Sequence, residues 1–397
     1  MRILMLSSRI PYPLTAGFRI RIYNEAKYLT KDGNQVDLLY LGDKGEYFKY
    51  KKSLNEVFHN VWCIPFSKAE ALKHLVKCIV NPKLPFQVQL YQNDAFRKKL
   101  LTVGGNYDVI IGNHIRTAEY LKLLDRSKVI LDLHDAISYN YLNAIKVATG
   151  IHRIFYKIEY KRVLNYECEI VSSFPKVVII SEKDKKWLSK HGADVSNISI
   201  IPVAVRDDIE DRKTAYDKDE HSICFLGKMS YQPNSDAVLW FSKEVFPALL
   251  KNDRKLVFYI MGIEPTEAVK KLEENPQIRV TGFIENPYAV VAKSMAMVVP
   301  IRNGAGIQNK VLESMLVGTP VVASIIAAEG IQAKDGEQLF IAKDEKDYVD
   351  KITRLIDSEE LRRRIGQAGQ NYIDDNYTWE ALWKKWKTLI IEGGVNS

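Results

Sequence analysis

Short, nearly continuous apolar runs alternate with longer amphipathic stretches along almost the whole chain. The run RILMLSS is followed by the Pro- and Gly-bearing loop IPYPLTAGFRIR and a helical pattern through Leu29. QVDLLYL follows Gly33, and further strand-like runs lie at Tyr107–Ile111, Lys128–Leu133 and Lys176–Ile180, separated by helical stretches. Apolar runs of this length predict buried strands, and their alternation with helices predicts a parallel sheet covered on its faces. After Ile201-Pro202 the chain enters VRDDIEDRKTAYDKDEHS, which is charged, poor in aliphatics and without periodicity, so a domain boundary is expected there. A second alternation then begins: SICFLG, a helix from about Asp236, KLVFYIMG, a helix near Glu264, IRVTGF, a helix near Tyr288, MAMVVPI, a helix near Gln308, and PVVAS. The end reads as helical, at Asp347–Ile356, Glu359–Asp374 and the Trp-rich YTWEALWKKWKTLI. Neither an internal repeat nor a low-complexity segment stands out. The expected architecture is α/β, with two Rossmann-like doubly wound domains at 1–203 and 204–376 and a final helical segment at 377–397. Such sheets bind ligands at the carboxyl ends of their strands, so a pair of them is expected to face across a cleft.

Length and composition narrow the class. The 397 residues are more than twice the roughly 150 of one typical domain. With 46% hydrophobic and 27% charged residues the composition is that of a globular protein. The longest apolar stretches, such as Ala296–Ile301, fall well short of the roughly 20 residues that cross a bilayer. MRILMLSS runs straight into Arg9 with no small-residue cleavage site, so no secretion signal is read and a cytoplasmic location is expected. Cys63, Cys78, Cys168 and Cys224 are far apart, the 7 histidines are scattered, and no His-x-x-x-His or Cys-x-x-Cys pair occurs. A protein-held metal is therefore not expected, and neither is a disulfide framework. The net charge of +8 divides unevenly. Residues 1–200 hold 31 Lys and Arg against 19 Asp and Glu, or +12, which leaves 26 against 30, or −4, for residues 201–397. The basic first half faces either an anionic partner or only solvent.

The stretch PIRNGAGIQNKVLESMLVGTPVV concentrates the chemistry. A strand ends at Pro300, a glycine loop follows, and a helix is predicted from roughly Ile307 to Val317, with Gly318 as its stop. Helical spacing puts Gly306, Lys310, Glu313 and Val317 on one face. Free N–H groups at the helix start favour an anion, Arg302 and Lys310 add positive charge, and Gly304 and Gly306 let the backbone approach closely. A diphosphate fits such a site, with Glu313 placed for a ribose diol; a Gly turn closed by a surface Lys–Glu pair is the plainer alternative. His134 ends the apolar run VILDLHD, where its side chain either projects from the sheet edge or packs against Asp132 or Asp135. Asp135 either orients that ring or caps the helix that follows. Gly17, in the loop after the first strand, either admits a ligand to its amide or simply turns the chain. Lys228, after Gly227, is either a phosphate-binding cation or a solvated lysine.

Taken together, these motifs resemble the glycosyl transferases group 1 family, the retaining nucleotide-sugar enzymes of GT-B fold, in their polysaccharide sugar-transferase branch. The resemblance runs over nearly the whole chain. MRILMLSSRIPYP with Gly17 is similar to the amino-terminal loop of these enzymes, DLHDAISYN to their His-bearing strand end, and FLGKMSYQPNSDAVLWF to the opening of their second domain. GFIENPYAVVAKSMAMVVPIRNGAGIQNKVLE and the run AAEGI at Ala327–Ile331 match in order and spacing. One departure is clear: many members carry a Glu eight residues before the position of Glu313, and Ala305 stands there.

The resemblance implies transfer of a sugar from a nucleotide diphosphate donor to an acceptor hydroxyl, with retention, no metal and no further cofactor. It implies that Lys228, Arg302, the segment Gly304, Ala305, Gly306 and Ile307, Lys310 and Glu313 hold the donor, and that Phe283 and Ile284 lie by the base. His134, Gly17 and Lys310 would then serve catalysis, Arg19 and Arg21 would face the acceptor, and the last helix would cross back to the first domain. The implied partner is a glycan or lipid-linked glycan at the inner face of the membrane, in cell-surface polysaccharide or lipopolysaccharide assembly. Basic and aromatic residues interleave in EYFKYKKSLNEVF, KAEALKHLVKCIVNPKLPF and HRIFYKIEYKRVL, as an anionic bilayer surface would attract. No nucleic-acid module accompanies the charge. Two other readings stay open at this level: a nucleotide-sugar epimerase on the same fold, and a non-catalytic sugar-nucleotide-binding scaffold protein. A nicotinamide dehydrogenase is disfavoured, because no Gly-x-Gly-x-x-Gly follows either domain's first strand.

Overall fold

The structure, a computed structural model, describes residues 1–66, 83–207, 209, 219–303 and 307–394. The chain divides into two compact units, one of residues 1–203 with 382–397 and one of residues 204–381. Each is α/β.

In the first unit, seven strands form one parallel sheet: β1 (Arg2–Ser7), β2 (Gln35–Gly42), β3 (Asn60–Pro65), β4 (Val109–Asn113), β5 (Val129–His134), β6 (Val177–Ile179) and β7 (Ile198–Ile200). Their spatial order is β3-β2-β1-β4-β5-β6-β7. Strand order reverses between β1 and β4, which makes their carboxyl ends a topological switch point. Leu4, Leu6, Leu39, Leu131 and Val177 are fully buried, and with Phe96, Ile170 and Phe174 they form the core of this unit. The last helix (Trp379–Gly394) is tied to this unit by polar contacts: Lys176 Nζ donates to Leu389 O at 2.9 Å and Lys387 pairs with Asp32 at 3.1 Å.

The second unit holds a six-stranded parallel sheet of β8 (Asp219–Leu226), β9 (Val257–Met261), β10 (Ile278–Gly282), β11 (Ser294–Val299), β12 (Val321–Ser324) and β13 (Phe340–Ala342), in the order β10-β9-β8-β11-β12-β13. Every residue of β11 is buried, as expected of a strand covered on both faces. The helix predicted over Ile307–Val317 spans Asn309–Leu316. It stops where expected: Gly318 takes φ +71°, and its N–H bonds to Met315 O at 2.9 Å, closing the last turn.

Candidate functional site

In the first unit the carboxyl ends of β1, β4 and β5 surround a pocket of about 310 Å³, lined among others by Arg9, Gly17, Asn113, His114, Arg116 and His134. His134 ends β5 and His114 directly follows the adjacent β4, both with positive φ (+67° and +72°), and their rings lie 6.0 Å apart. A non-glycine residue held this way costs about 1–3 kcal/mol, a strain that concentrates at functional sites. The sheet supplies the constraint. His114 N donates to Asp132 O at 2.6 Å, His134 N donates to Asp132 Oδ1 at 3.2 Å, and His134 O accepts from Ile180 N at 2.8 Å. His134 Nε2 stands 3.4 Å from Asn113 Oδ1 and 3.5 Å from Asp132 Oδ2. Burial pushes His134 down to about 4 against the pull of Asp132, with Arg21 and Arg116 adding to the fall. Burial likewise holds His114 well below the usual histidine range, with Arg116 the next cause. Both rings are therefore neutral at pH 7.

The carboxylate beside His134 is Asp132, one of the two candidates. Asp135 instead accepts from Asn140 Nδ2 at 2.6 Å, and the helix Ile137–Val147 is capped from a distance by Glu167, which accepts from Ile137 N at 2.7 Å. Gly17 opens the helix Gly17–Lys31, and a Cβ built on it would meet nothing within 4 Å, so the space where a side chain would stand is open. Arg21 lines the same pocket, but its guanidinium is engaged within the protein. Its side chain is 3% exposed, its Nε donates to Asp132 Oδ2 at 2.8 Å, and its Nη1 donates to the carbonyls of Ile201 and Pro202 at 3.0 and 3.1 Å. Glu25, one turn on, completes the buried cluster at 2.9 Å. Arg19 donates to Tyr12 O at 3.2 Å and does not line the pocket. Arg9 and Arg116 do, and sequence reasoning passed over both. Their position just beyond β1 and β4 was the available signal.

The second unit carries a pocket of about 270 Å³ at the carboxyl ends of β8, β9 and β10, lined by Gly227, Lys228, Gly262, Ile263, Phe283 and Ile284 among others. Two glycines bring its backbone walls together: a Cβ on Gly262, at φ +144°, would fall 1.8 Å from Gly227 O. A Cβ on Gly227 would fall 2.9 Å from Lys310 Nζ and 2.7 Å from Asn234 Nδ2, which sets the Lys310 ammonium directly behind that wall. Lys310 Nζ donates to Asn234 Oδ1 at 2.6 Å and lies 4.3 Å from the centre of the Phe225 ring. Burial pulls this lysine down to about 7, only partly offset by Glu313. Glu313, one turn along the same helix, is 8% exposed and accepts from the Tyr288 hydroxyl at 2.6 Å. Tyr288 and Asn234 had no sequence signal of their own. Lys228 pairs with Glu264 at 2.9 Å, both half exposed, and remains accessible. Arg302 sits over the Trp240 ring at 5.5 Å, outside the pocket lining, and Ile307 packs against the core. Gly304, Ala305 and Gly306 lie outside the described residues. Among the described residues, no group of three His, Cys, Asp or Glu side chains is placed to hold a metal ion.

A family model, Glycosyl transferases group 1, matches residues 220–358, which span the strands and the Lys310 helix just described. Over these residues the second unit resembles the glycosyl transferases group 1 family. Along its length the chain is 24% identical over 396 residues to an uncharacterized 44.6 kDa protein in the cps region of Klebsiella pneumoniae, covering 95% of this chain and 96% of that protein. It shares its fold with Anabaena HepE crystallised in complex with UDP (TM-score 0.64, 14% identity, 98% of this chain and 99% of that one). It also shares it with WaaG, a glycosyltransferase involved in lipopolysaccharide biosynthesis (TM-score 0.59, 12% identity, 98% and 99%). The fold is the two-domain, Rossmann-like GT-B fold. A second model, ANAPC2-like, TPR repeats, matches residues 46–144. That stretch contains β3, β4 and β5 of a parallel sheet, where a TPR array would have helix pairs alone.

Proposed function

We propose that the protein transfers a sugar from a nucleotide diphosphate sugar to an acceptor hydroxyl, with retention at the anomeric carbon and without a metal. The observation that carries this reading is the second unit's pocket: paired glycine walls, Lys310 behind them, an accessible Lys228 at the rim, and the Tyr288–Glu313 pair one helical turn away. Departure of the nucleotide diphosphate builds negative charge on its phosphates. Lys310, with Lys228, stabilises that charge more in the transition state than in the ground state, and so lowers the barrier. Arg302, the Gly304–Gly306 segment and Ile307 belong to the same donor reading. Glu313 takes the ribose, and Phe283, 75% exposed, and Ile284 flank the base. In the first unit, neutral His134 and Gly17 serve the transferred sugar. The HepE structure, determined with UDP, supports a nucleotide donor, and WaaG supports a role in lipopolysaccharide or other cell-surface polysaccharide assembly. The test is an assay of donor consumption with and without acceptor glycan, with the product's anomeric configuration read by NMR. Turnover only with acceptor, and retention, are expected; acceptor-independent conversion of the donor would favour an epimerase.

The acceptor side of this reading lies at the inner face of the plasma membrane. Ile151, Ile154, Phe155 and Ile158 follow i, i+3, i+4, i+7 spacing on the helix Gly150–Ser173 and are 77%, 60%, 39% and 51% exposed. Arg153, Lys157 and Lys161 accompany them, which suits an anionic bilayer. Phe48, 68% exposed on the helix Lys44–Asn55, is a second such residue, whereas residues 68–82 of the remaining basic segment lie outside the described residues. Among the described residues no helix is long and apolar enough to cross a membrane. Co-sedimentation with phosphatidylglycerol vesicles is expected for the unaltered chain and lost in Ile151→Asp/Ile158→Asp.

A further inference from the structure

We propose that the pocket of the first unit binds a phosphoryl group carried by the acceptor, gripped by the guanidinium groups of Arg9 and Arg116 with His114 as a third donor. This rests on the glycosyltransferase reading only in calling that ligand the acceptor; the anion site itself stands on the geometry.

Both guanidinium groups are fixed by one buried tyrosine. Arg9 Nε and Nη2 donate to the Tyr91 hydroxyl at 3.0 and 2.9 Å, while Arg116 lies 4.7 Å over the centre of the same ring and its Nε donates to Gln87 Oε1 at 3.1 Å. Tyr91 is in turn stacked on Phe66 at 5.2 Å. These partners are all neutral, and neither arginine forms an ion pair with a described residue. Holding two like charges beside each other is unfavourable unless an anion joins them. The cost is visible at Arg116, which burial in the first place, and Arg9 as a further cause, pull below the ordinary guanidinium value.

The rest of the lining leaves that charge unmatched. Of its charged members, Arg21 is already paired with Asp132, and Asp135, the single carboxylate, is held by Asn140 and pushed up by burial. His114 Nδ1 is buried with no hydrogen-bond partner, in a ring that is neutral and so able to donate from that nitrogen. Two separately anchored guanidinium groups and one imidazole N–H supply donors for three oxygens. A phosphoryl group presents three, with a charge of about −1.5 to −2, whereas a carboxylate presents two with a single charge. The pocket's 310 Å³ leaves room beside the anion for the group that carries it.

Calorimetric titration of the full chain with glucose 1-phosphate, methyl α-glucoside and glucuronate tests this, using the unaltered protein, Arg9→Ala, Arg116→Ala and Lys310→Ala, each first checked by thermal melting. Glucose 1-phosphate is expected to bind the unaltered protein at least tenfold more tightly than either other sugar. Each arginine variant is expected to lose about ten- to a hundredfold in that affinity, and Lys310→Ala to keep it. Arg9 is exposed, so its variant remains informative if Arg116→Ala fails to fold. Absence of glucose 1-phosphate binding, equal affinity for methyl α-glucoside or glucuronate, or unchanged affinity in Arg9→Ala overturns the proposal. Titrating the same proteins with UDP separates the two readings. UDP binding that ignores Lys310→Ala counts against the donor site alone, and glucose 1-phosphate binding that ignores Arg9→Ala counts against this site alone.

Discussion

Lys310 donates to the side-chain oxygen of Asn234 at 2.6 Å, and this neutral amide, with the Phe225 ring below, is what faces its ammonium in the free protein. Burial therefore lowers the lysine to about 7 from its ordinary 10.5. Between these values the unfolded chain holds a proton that the native chain lacks, so this group makes stability rise with pH from about 7 toward 10.5. A bound diphosphate restores the opposite charge and raises the lysine again, so binding takes up a proton over that window. Nucleotide diphosphate affinity is accordingly expected to fall by up to tenfold per pH unit from 7.5 to 9, and Lys310→Met is expected to remove the slope. Calorimetry in buffers of different ionisation enthalpy measures the proton uptake directly.

Replacing Arg21 is expected to damage the fold of the first unit before it touches any ligand. Asp132 is fully buried, and losing its guanidinium partner leaves a buried charge uncompensated, at a cost of about 3–5 kcal/mol. Denaturant unfolding of Arg21→Ala checks this. A change below about 1 kcal/mol would contradict this structural role.

Gly227→Ala separates binding from folding in the second unit. Its new Cβ would meet the ends of the Asn234 and Lys310 side chains, at 2.7 and 2.9 Å, which can swing aside. A modest stability loss of about 1 kcal/mol, with a tenfold or larger loss of nucleotide affinity, is expected from this overpacking of the phosphate wall. Gly262→Ala meets the Gly227 carbonyl at 1.8 Å and is expected to prevent folding of that unit altogether.

Glu167 offers a pH test of a buried cap. Burial raises its carboxyl to about 8 from 4.5, against the hydrogen bonds it accepts from Ser138 N and Ile137 N. Between about 4.5 and 8 the native chain holds a proton that the unfolded chain has released, so this group makes stability fall with pH across that window, the loss being complete by about 8. Glu167→Gln, which mimics the protonated form, is expected to match the unaltered protein near pH 4.5 and to melt at a higher temperature than it at pH 9. Comparing the two proteins cancels the similar contribution of Glu25, also raised to about 8.

The central strands of both sheets were legible because burial on two faces writes them as unbroken apolar runs. The strands passed over, β3, β7 and β13, all lie at sheet edges. β3, NVWCIP, is only half buried, and β7 and β13 are three residues each, too short to register as a run. Lys310 and Glu313 were legible because a helix fixes their spacing. Tyr288, Asn234, Arg9 and Arg116 were not, since each reaches its partner through tertiary packing. The buried pairing of Arg21 is contained in the helix period: it lies four residues from Glu25 and eight from Leu29, on the buried face.

The most direct test of the account is thermal stabilisation of the full chain by UDP-, GDP-, ADP-, CMP- and dTDP-linked sugars, repeated with Lys310→Ala. One nucleotide is expected to raise the melting temperature of the unaltered protein, and the variant to lose most of that shift. No shift with any of them, or an equal shift in Lys310→Ala, would contradict the assignment of the second unit's pocket as the donor site.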